Sequence, residues 1–208
     1  MTVHTDDPLD LNLTRRKVLK GAAEVFAAKG ASETTISDIV RASGVARRTF
    51  YRLFKNADEV LAALYEIACA KVLERIHAEV AAHDDAWGKL RAAVLSFLDF
   101  HAEAGQLLRV LQGEAMRPGS ALERRRFDQF DAIAAIFDRE IRQSQDRRVD
   151  PMVLRGLLLA MEGLSNQYLA MAGSGGIDRK HAEKVMLRIV GATLAIDGGP
   201  LPPMPLAK

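Results

Sequence analysis

The sequence predicts an all-α protein of about nine helices, on three observations. No stretch sustains the apolar alternation of a strand, helical periodicity recurs along the chain, and proline is confined mostly to the ends and the connections. The first helix is expected from Thr14 to Lys29, with Val18, Ala22, Val25, Phe26 and Lys29 on one stripe and Gly30 as its stop. The second starts near Thr34 and Thr35, whose hydroxyls can cap it, and ends at Gly44. The third is the stretch GVARRTFYRLF, Gly44 to Phe54. A fourth begins at Asn56 or Asp58 and runs toward Ala82, ahead of the break at His83 to Asp85. The fifth runs from Trp87 to Ala104 and is stopped by Gly105; the sixth runs from Gln106 to Met116, before the loop RPGS. The seventh spans Leu122 to Gln145. Asp150 and Pro151 open the eighth in the favoured order, and GSGG at 173–176 ends it. Asp178 caps the ninth, which continues toward Asp197. Residues 1–12 read as a disordered acidic tail and 199–208, rich in Gly and Pro, as a second one.

Composition narrows the class of protein. A chain of 208 residues, 27% of them charged, has an ordinary globular balance. One cysteine, Cys69, excludes an internal disulfide framework and fits a reducing cytoplasm. The N-terminus MTVHTDDPLD has no apolar run and is no signal peptide, and no stretch makes a good membrane span. The net charge of +2 hides an uneven distribution. Residues 14–55 hold ten Lys or Arg against three acids, whereas the first 13 residues hold three acids and no Lys or Arg, and the chain after 55 is close to neutral. A basic segment joined to a neutral body points to a polyanion-binding module with something attached.

The third helix carries the sharpest signal. At 100° per residue, with Arg47 at zero, Arg48, Tyr51, Arg52 and Lys55 fall at roughly 100°, 40°, 140° and 80°. Ala46, Thr49, Phe50 and Leu53 fall on the opposite side, which is the expected docking face. A solvated surface helix normally mixes charge signs, and this face has no acid. The run TTISDIVRASGVARRTF has the helix, short Gly-containing turn and helix spacing of a helix-turn-helix. Ile36, Ile39 and Val40 supply the buried side of its first helix, with Val45 and Phe50 as partners. Arg15, Arg16 and Lys17 are expected in the first turn of the first helix, where they oppose the helix dipole unless a phosphate backbone lies nearby.

These residues resemble the DNA-binding domain of the TetR (tetracycline repressor) family of bacterial transcription regulators. The resemblance covers 14–60 and rests on Ala22, Ala23, Phe26 and Gly30, then Thr35, Asp38 and Ile39, then SGVARRTFYRLFKN and Glu59. It implies a DNA-binding domain at 13–56, a ligand-binding and dimerisation domain of six helices at 57–198, and a homodimer on a palindromic double-stranded operator. Carried over, Arg47 and Arg48 are the base-edge candidates, and Thr35, Thr49, Tyr51 and Lys55 the phosphate contacts. Arg52, Arg15 and Arg16 extend the basic surface, while Phe50 and Phe54 belong to the core. Three positions depart from the family pattern: Arg48, commonly small; Ala46, often Ser; and Ala57, often a phosphate-binding Lys.

The later helices divide by face. Gly156, Ala160, Gly163 and Gln167 share one narrow side of the eighth helix, where small residues allow a close helix approach. That face is assigned to the partner subunit, together with Val185, Ile189, Ala192 and Ile196 of the ninth. The other face carries Leu154, Leu158, Met161, Ser165 and Tyr168. Leu90, Val94, Phe97 and His101 align on the fifth helix, Leu107, Leu108 and Leu111 on the sixth, and Phe130, Ile133 and Phe137 on the seventh. A small-molecule effector site is expected among Phe97, His101, Leu111, Phe130, Phe137, Met161, Ser165 and Tyr168, mostly apolar with a few polar groups.

Two other classes compete with this reading. A helical enzyme would need more than the single Glu-x-x-His element, Glu74 to His77, and no Gly-rich phosphate loop opens a helix. No enzyme activity, metal or cofactor is therefore expected. A helical protein-interaction module with a basic segment is the other rival, and it predicts no dimer-dependent, sequence-specific DNA binding.

Overall fold

The computed structural model describes residues 8–146, 148–171 and 178–194. Among them are eight helices and no strand: α1 Pro8–Lys29, α2 Ile36–Ser43, α3 Arg47–Leu53, α4 Ala57–Ala81, α5 Ala86–Met116, α6 Glu123–Gln145, α7 Pro151–Met171 and α8 Arg179–Thr193. No helix among the described residues is long and apolar enough to cross a membrane. The count differs from nine only because the expected fifth and sixth helices meet end to end at Gly105 and are counted together as α5. Gly105 interrupts it with φ 55 and ψ −132, a conformation that glycine adopts at no steric cost, so the axis breaks there without a connecting loop. The stop at GSGG, the end near Asp197 and the tail at 199–208 lie outside the described residues.

The described residues form two compact units. One comprises the described part of Met1–Ala68 with Gln106–Arg126, the other Cys69–Gly105 with the described part of Phe127–Lys208. In the first unit, Val18, Ala22 and Phe26 of α1 bury against Ile39 of α2, Phe50 of α3 and Val60 of α4, all at 0–1% exposure. Leu111 of α5 is buried in this unit. α1 begins earlier than Thr14 because Thr14 is not a cap: its hydroxyl donates to the Asp10 carbonyl, 2.7 Å away, one turn back within the helix. Arg15, Arg16 and Lys17 consequently lie in the body of α1, and the dipole penalty expected for a first turn does not apply.

Gly21 allows a close approach of α1 to α2. A Cβ there would lie 2.6 Å from the Ser43 nitrogen and 2.9 Å from the Ala42 carbonyl carbon, so α1 crosses the backbone of the last turn of α2. Backbone atoms cannot swing aside. Gly21→Ala is expected to destabilise the protein by about 1–3 kcal/mol, despite alanine's better helix propensity. Urea denaturation of the two proteins measures this, and an unchanged midpoint would mean that the crossing yields freely.

In the second unit, Leu90, Val94 and Leu98 of α5, Ile141 of α6, Leu154, Leu157 and Met161 of α7, and Met186, Leu187, Val190 and Leu194 at α8 form one core cluster. Local capping defines its helix starts. The Asp150 carboxylate accepts from the Met152 amide at 2.7 Å, and Asp178 accepts from the His181 amide at 2.6 Å. Ion pairs then tie neighbouring helices: Lys89–Glu140 at 2.6 Å, Arg91–Glu183 at 3.3 Å and Arg179–Asp99.

Candidate nucleic-acid interface and ligand cavity

The two short helices of the first unit are built from local signals. Thr35 caps α2 through a capping box: its hydroxyl accepts from the Asp38 amide at 3.2 Å, and Asp38 accepts from the Thr35 amide at 3.2 Å. Asp38 also accepts from the Thr35 hydroxyl at 2.7 Å and pairs with Lys29 at 3.0 Å and Arg41 at 2.5 Å. The Thr35 hydroxyl and Lys29 lower its pKa to about 2. Gly44 ends α2 at φ 67, where its amide donates to the Val40 carbonyl at 3.1 Å. α3 follows within three residues. Ala46 stands at its N-cap, offers no side-chain hydrogen bond and is exposed, so it is not part of the docking face expected for it. Phe50 docks the helix at 0% exposure, edge-on to Tyr51 and packed on Phe54.

The opposite side of α3 faces outward. Arg47, Arg48, Tyr51, Arg52 and Lys55 are all exposed, and Thr49 is half-buried. Arg47 is pre-set. Its guanidinium donates through Nη1 to the Ser37 hydroxyl at 3.1 Å and through Nη2 to the Tyr51 hydroxyl at 3.3 Å, and it sits 5.6 Å from the Tyr51 ring centroid. Ser37, on α2, escaped the sequence reading because nothing local links residues ten apart. Arg48 has no ion pair or hydrogen bond to any described residue. Lys55 is paired to Glu59 at 3.7 Å, beside the Asn56 carboxamide that accepts from the Glu59 amide and opens α4. Arg15 lies 5.3 Å from the Phe54 ring centroid, next to the end of α3, and Arg16 is exposed.

The second unit holds a narrow, wholly apolar cavity of about 30 Å³, room for no more than a few water-sized groups. Ala93, Val94 and Phe97 line it from α5, and Ile133 and Phe137 from α6. Leu157, Leu158 and Met161 of α7, Met186 and Val190 of α8, and Ile76 of α4 complete the wall. Of the residues expected to make an effector site, Phe97, Phe137 and Met161 are on this wall. His101, Phe130, Ser165 and Tyr168 belong to the same unit but do not line it, and Leu111 belongs to the other unit. Each of the five lies on an apolar or core-facing stripe, and periodicity cannot tell a residue that borders empty space from one that packs beside it.

His101 is 2% exposed, stacks on Phe97 with centroids 4.0 Å apart, and its Nδ1–H donates to the Phe97 carbonyl at 2.8 Å. Burial lowers its pKa from 6.5 to about 4. The folded state thus favours the neutral ring. Its contribution to stability is fully present above 6.5 and is lost as pH falls toward about 4, for a total of about 3 kcal/mol. Denaturation midpoints across that window should fall with pH, and His101→Phe should flatten the slope. An equally steep slope in the variant would assign the effect elsewhere.

The small-residue face of α7 is open. Gly156, Ala160, Gly163 and Gln167 are exposed, and a Cβ at Gly156 or Gly163 would meet nothing within 4 Å. Met152 and Leu159, on the same side, are 72% and 40% exposed. On α8, Ala192 is exposed, whereas Val185 and Ile189 are half-buried and Ile189 packs on the unit's own core; Ile196 lies outside the described residues.

Known proteins share these features. Residues 18–64, from the body of α1 into α4, match the family model for bacterial regulatory proteins of the tetR family. An uncharacterized HTH-type transcriptional regulator of Bacillus subtilis, YvdT, is 34% identical over 71 residues, 34% of this chain and 37% of that relative, so the match spans about a third of it. SCO4454, a TetR-family transcriptional regulator from Streptomyces coelicolor, superposes with a TM-score of 0.69 at 20% identity over 88% of each chain. A SmeT–triclosan complex superposes with a TM-score of 0.65 at 22% identity, over 93% of this chain and 99% of that one. With the family match on the helix-turn-helix and the shared fold along the chain, the protein is similar to the tetR family of bacterial regulatory proteins: residues 18–64 carry that family's DNA-binding segment and the rest shares the fold of its solved relatives.

Proposed function

We propose that the protein is a cytoplasmic transcriptional repressor, and not an enzyme, that binds a palindromic operator as a homodimer and is released by a small apolar effector. The observation that carries this reading is the outward face of α3, where Arg47, Arg48, Tyr51, Arg52 and Lys55 are exposed with no acid among them. Residues 13–56 take the DNA and 57–198 take the effector and the partner subunit. Arg47 and Arg48 reach base edges; Thr35, Thr49, Tyr51, Lys55, Arg15 and Arg16 serve the phosphates. The open face of α7 receives the second copy. The apolar cavity supports an apolar effector, as does the solved complex of a structural neighbour with triclosan. Effector and DNA then favour different states of the dimer, so binding of one weakens the other.

Selection of binding sites from random duplex DNA tests the reading. A palindromic consensus should emerge, and its affinity should fall steeply with salt as phosphate contacts release counterions. Enrichment of no palindrome would leave the basic face as a docking surface for an acidic protein.

A further inference from the structure

The cavity stops one helical turn short of two buried polar side chains. On α5, His101 falls between Val94 and Phe97 around the helix axis, and both of those line the cavity. On α7, Ser165 falls between Leu158 and Met161, which also line it. The two polar groups lie toward the same end of the unit. Arg179, at the start of α8, pairs with Asp99, two residues before His101, and lies within electrostatic reach of Tyr168, three residues past Ser165. Ser165 is 0% exposed, and its Oγ has no hydrogen-bond partner among the described residues. A buried hydroxyl left unpaired is costly, and a bound acceptor or donor removes that cost.

We propose that the effector is an uncharged amphiphile whose apolar body enters and widens the cavity and whose single hydrogen-bonding group, a hydroxyl, carbonyl or amide, reaches the Ser165 hydroxyl one turn along α7 from the cavity wall. This rests on the reading of the cavity as the effector site. The surroundings disfavour an anionic head. The wall carries no charge, and Arg179 is already engaged by Asp99. His101 is held neutral by burial and offers no counter-charge near neutral pH.

Calorimetric titration of the full-length protein with octanol, octanamide, octanoate and naphthalene tests this. Octanol and octanamide should bind about tenfold more tightly than octanoate. Ser165→Ala should weaken both neutral amphiphiles by about fivefold, leave naphthalene unchanged, and melt no lower than the parent protein. Octanoate binding as tightly as octanol, or a uniform loss for every probe in Ser165→Ala, overturns the head-group assignment while the cavity stands. Binding of naphthalene alone does the same. If no probe binds, the cavity is not an effector site, and both readings fall.

Discussion

Replacing Arg47 and Arg48 together with alanine is expected to abolish sequence-specific DNA binding without unfolding the protein. Each arginine that reaches a guanine edge contributes about 1–3 kcal/mol of discrimination, so the pair accounts for about 2–6 kcal/mol. Both side chains are exposed, and α3 is anchored from its other side by Phe50. Alanine is also the better helix former, so the fold should tolerate the change. Fluorescence anisotropy on the selected operator and on a scrambled duplex measures the loss, which should remove the difference between the two. The single variants separate the roles. Arg47 starts from a set position against Ser37 and Tyr51, so less freedom is lost when it binds. Arg48 starts unpaired and must be ordered by the DNA. Unchanged discrimination in the double variant would remove α3 as the reading helix.

Placing an arginine at Gly163 is expected to convert the proposed dimer to a monomer and to cost operator affinity as a consequence. The substitution is harmless within one subunit: the position is exposed, its Cβ would meet nothing, and arginine is the better helix former. Across a close helix pair it would bury an unpaired charge on both sides of a twofold axis. Such a charge costs about 3–5 kcal/mol, enough to raise the dimer dissociation constant by more than about a hundredfold. Sedimentation should show a monomer of normal thermal stability, and operator binding should weaken because one subunit holds only a half-site. A Gly163→Arg protein that remains a tight dimer would place the interface on another face.

Much of the fold was legible because the signals are local. The caps at Thr35, Asn56, Asp150 and Asp178 and the stop at Gly44 act within four residues of themselves, and the structure has each of them. The start expected at Thr14 was too late: α1 begins at Pro8, and the Thr14 hydroxyl bonds within a helix already under way. The break expected at Gly105 is there: its backbone is non-helical, and the helices on either side meet without a loop. The wheel of α3 separated Phe50 from the exposed arginines because a seven-residue helix against one core leaves little freedom in which face goes inward.

The amino-acid sequence by itself determined the all-α class, the helix-turn-helix at 35–54 and the outward charge of α3. Each follows from backbone periodicity and from caps that involve near neighbours. Only the tertiary structure decided that Ser37 holds Arg47, that Gly21 lets α1 onto the backbone of α2, and that Phe97, Phe137 and Met161 border an empty space while His101 and Ser165 lie just beyond it. The physical reason is the same for all three. A contact between residues far apart in the chain, or a gap between five helices, depends on how packed surfaces meet, and periodicity along one helix carries no record of it.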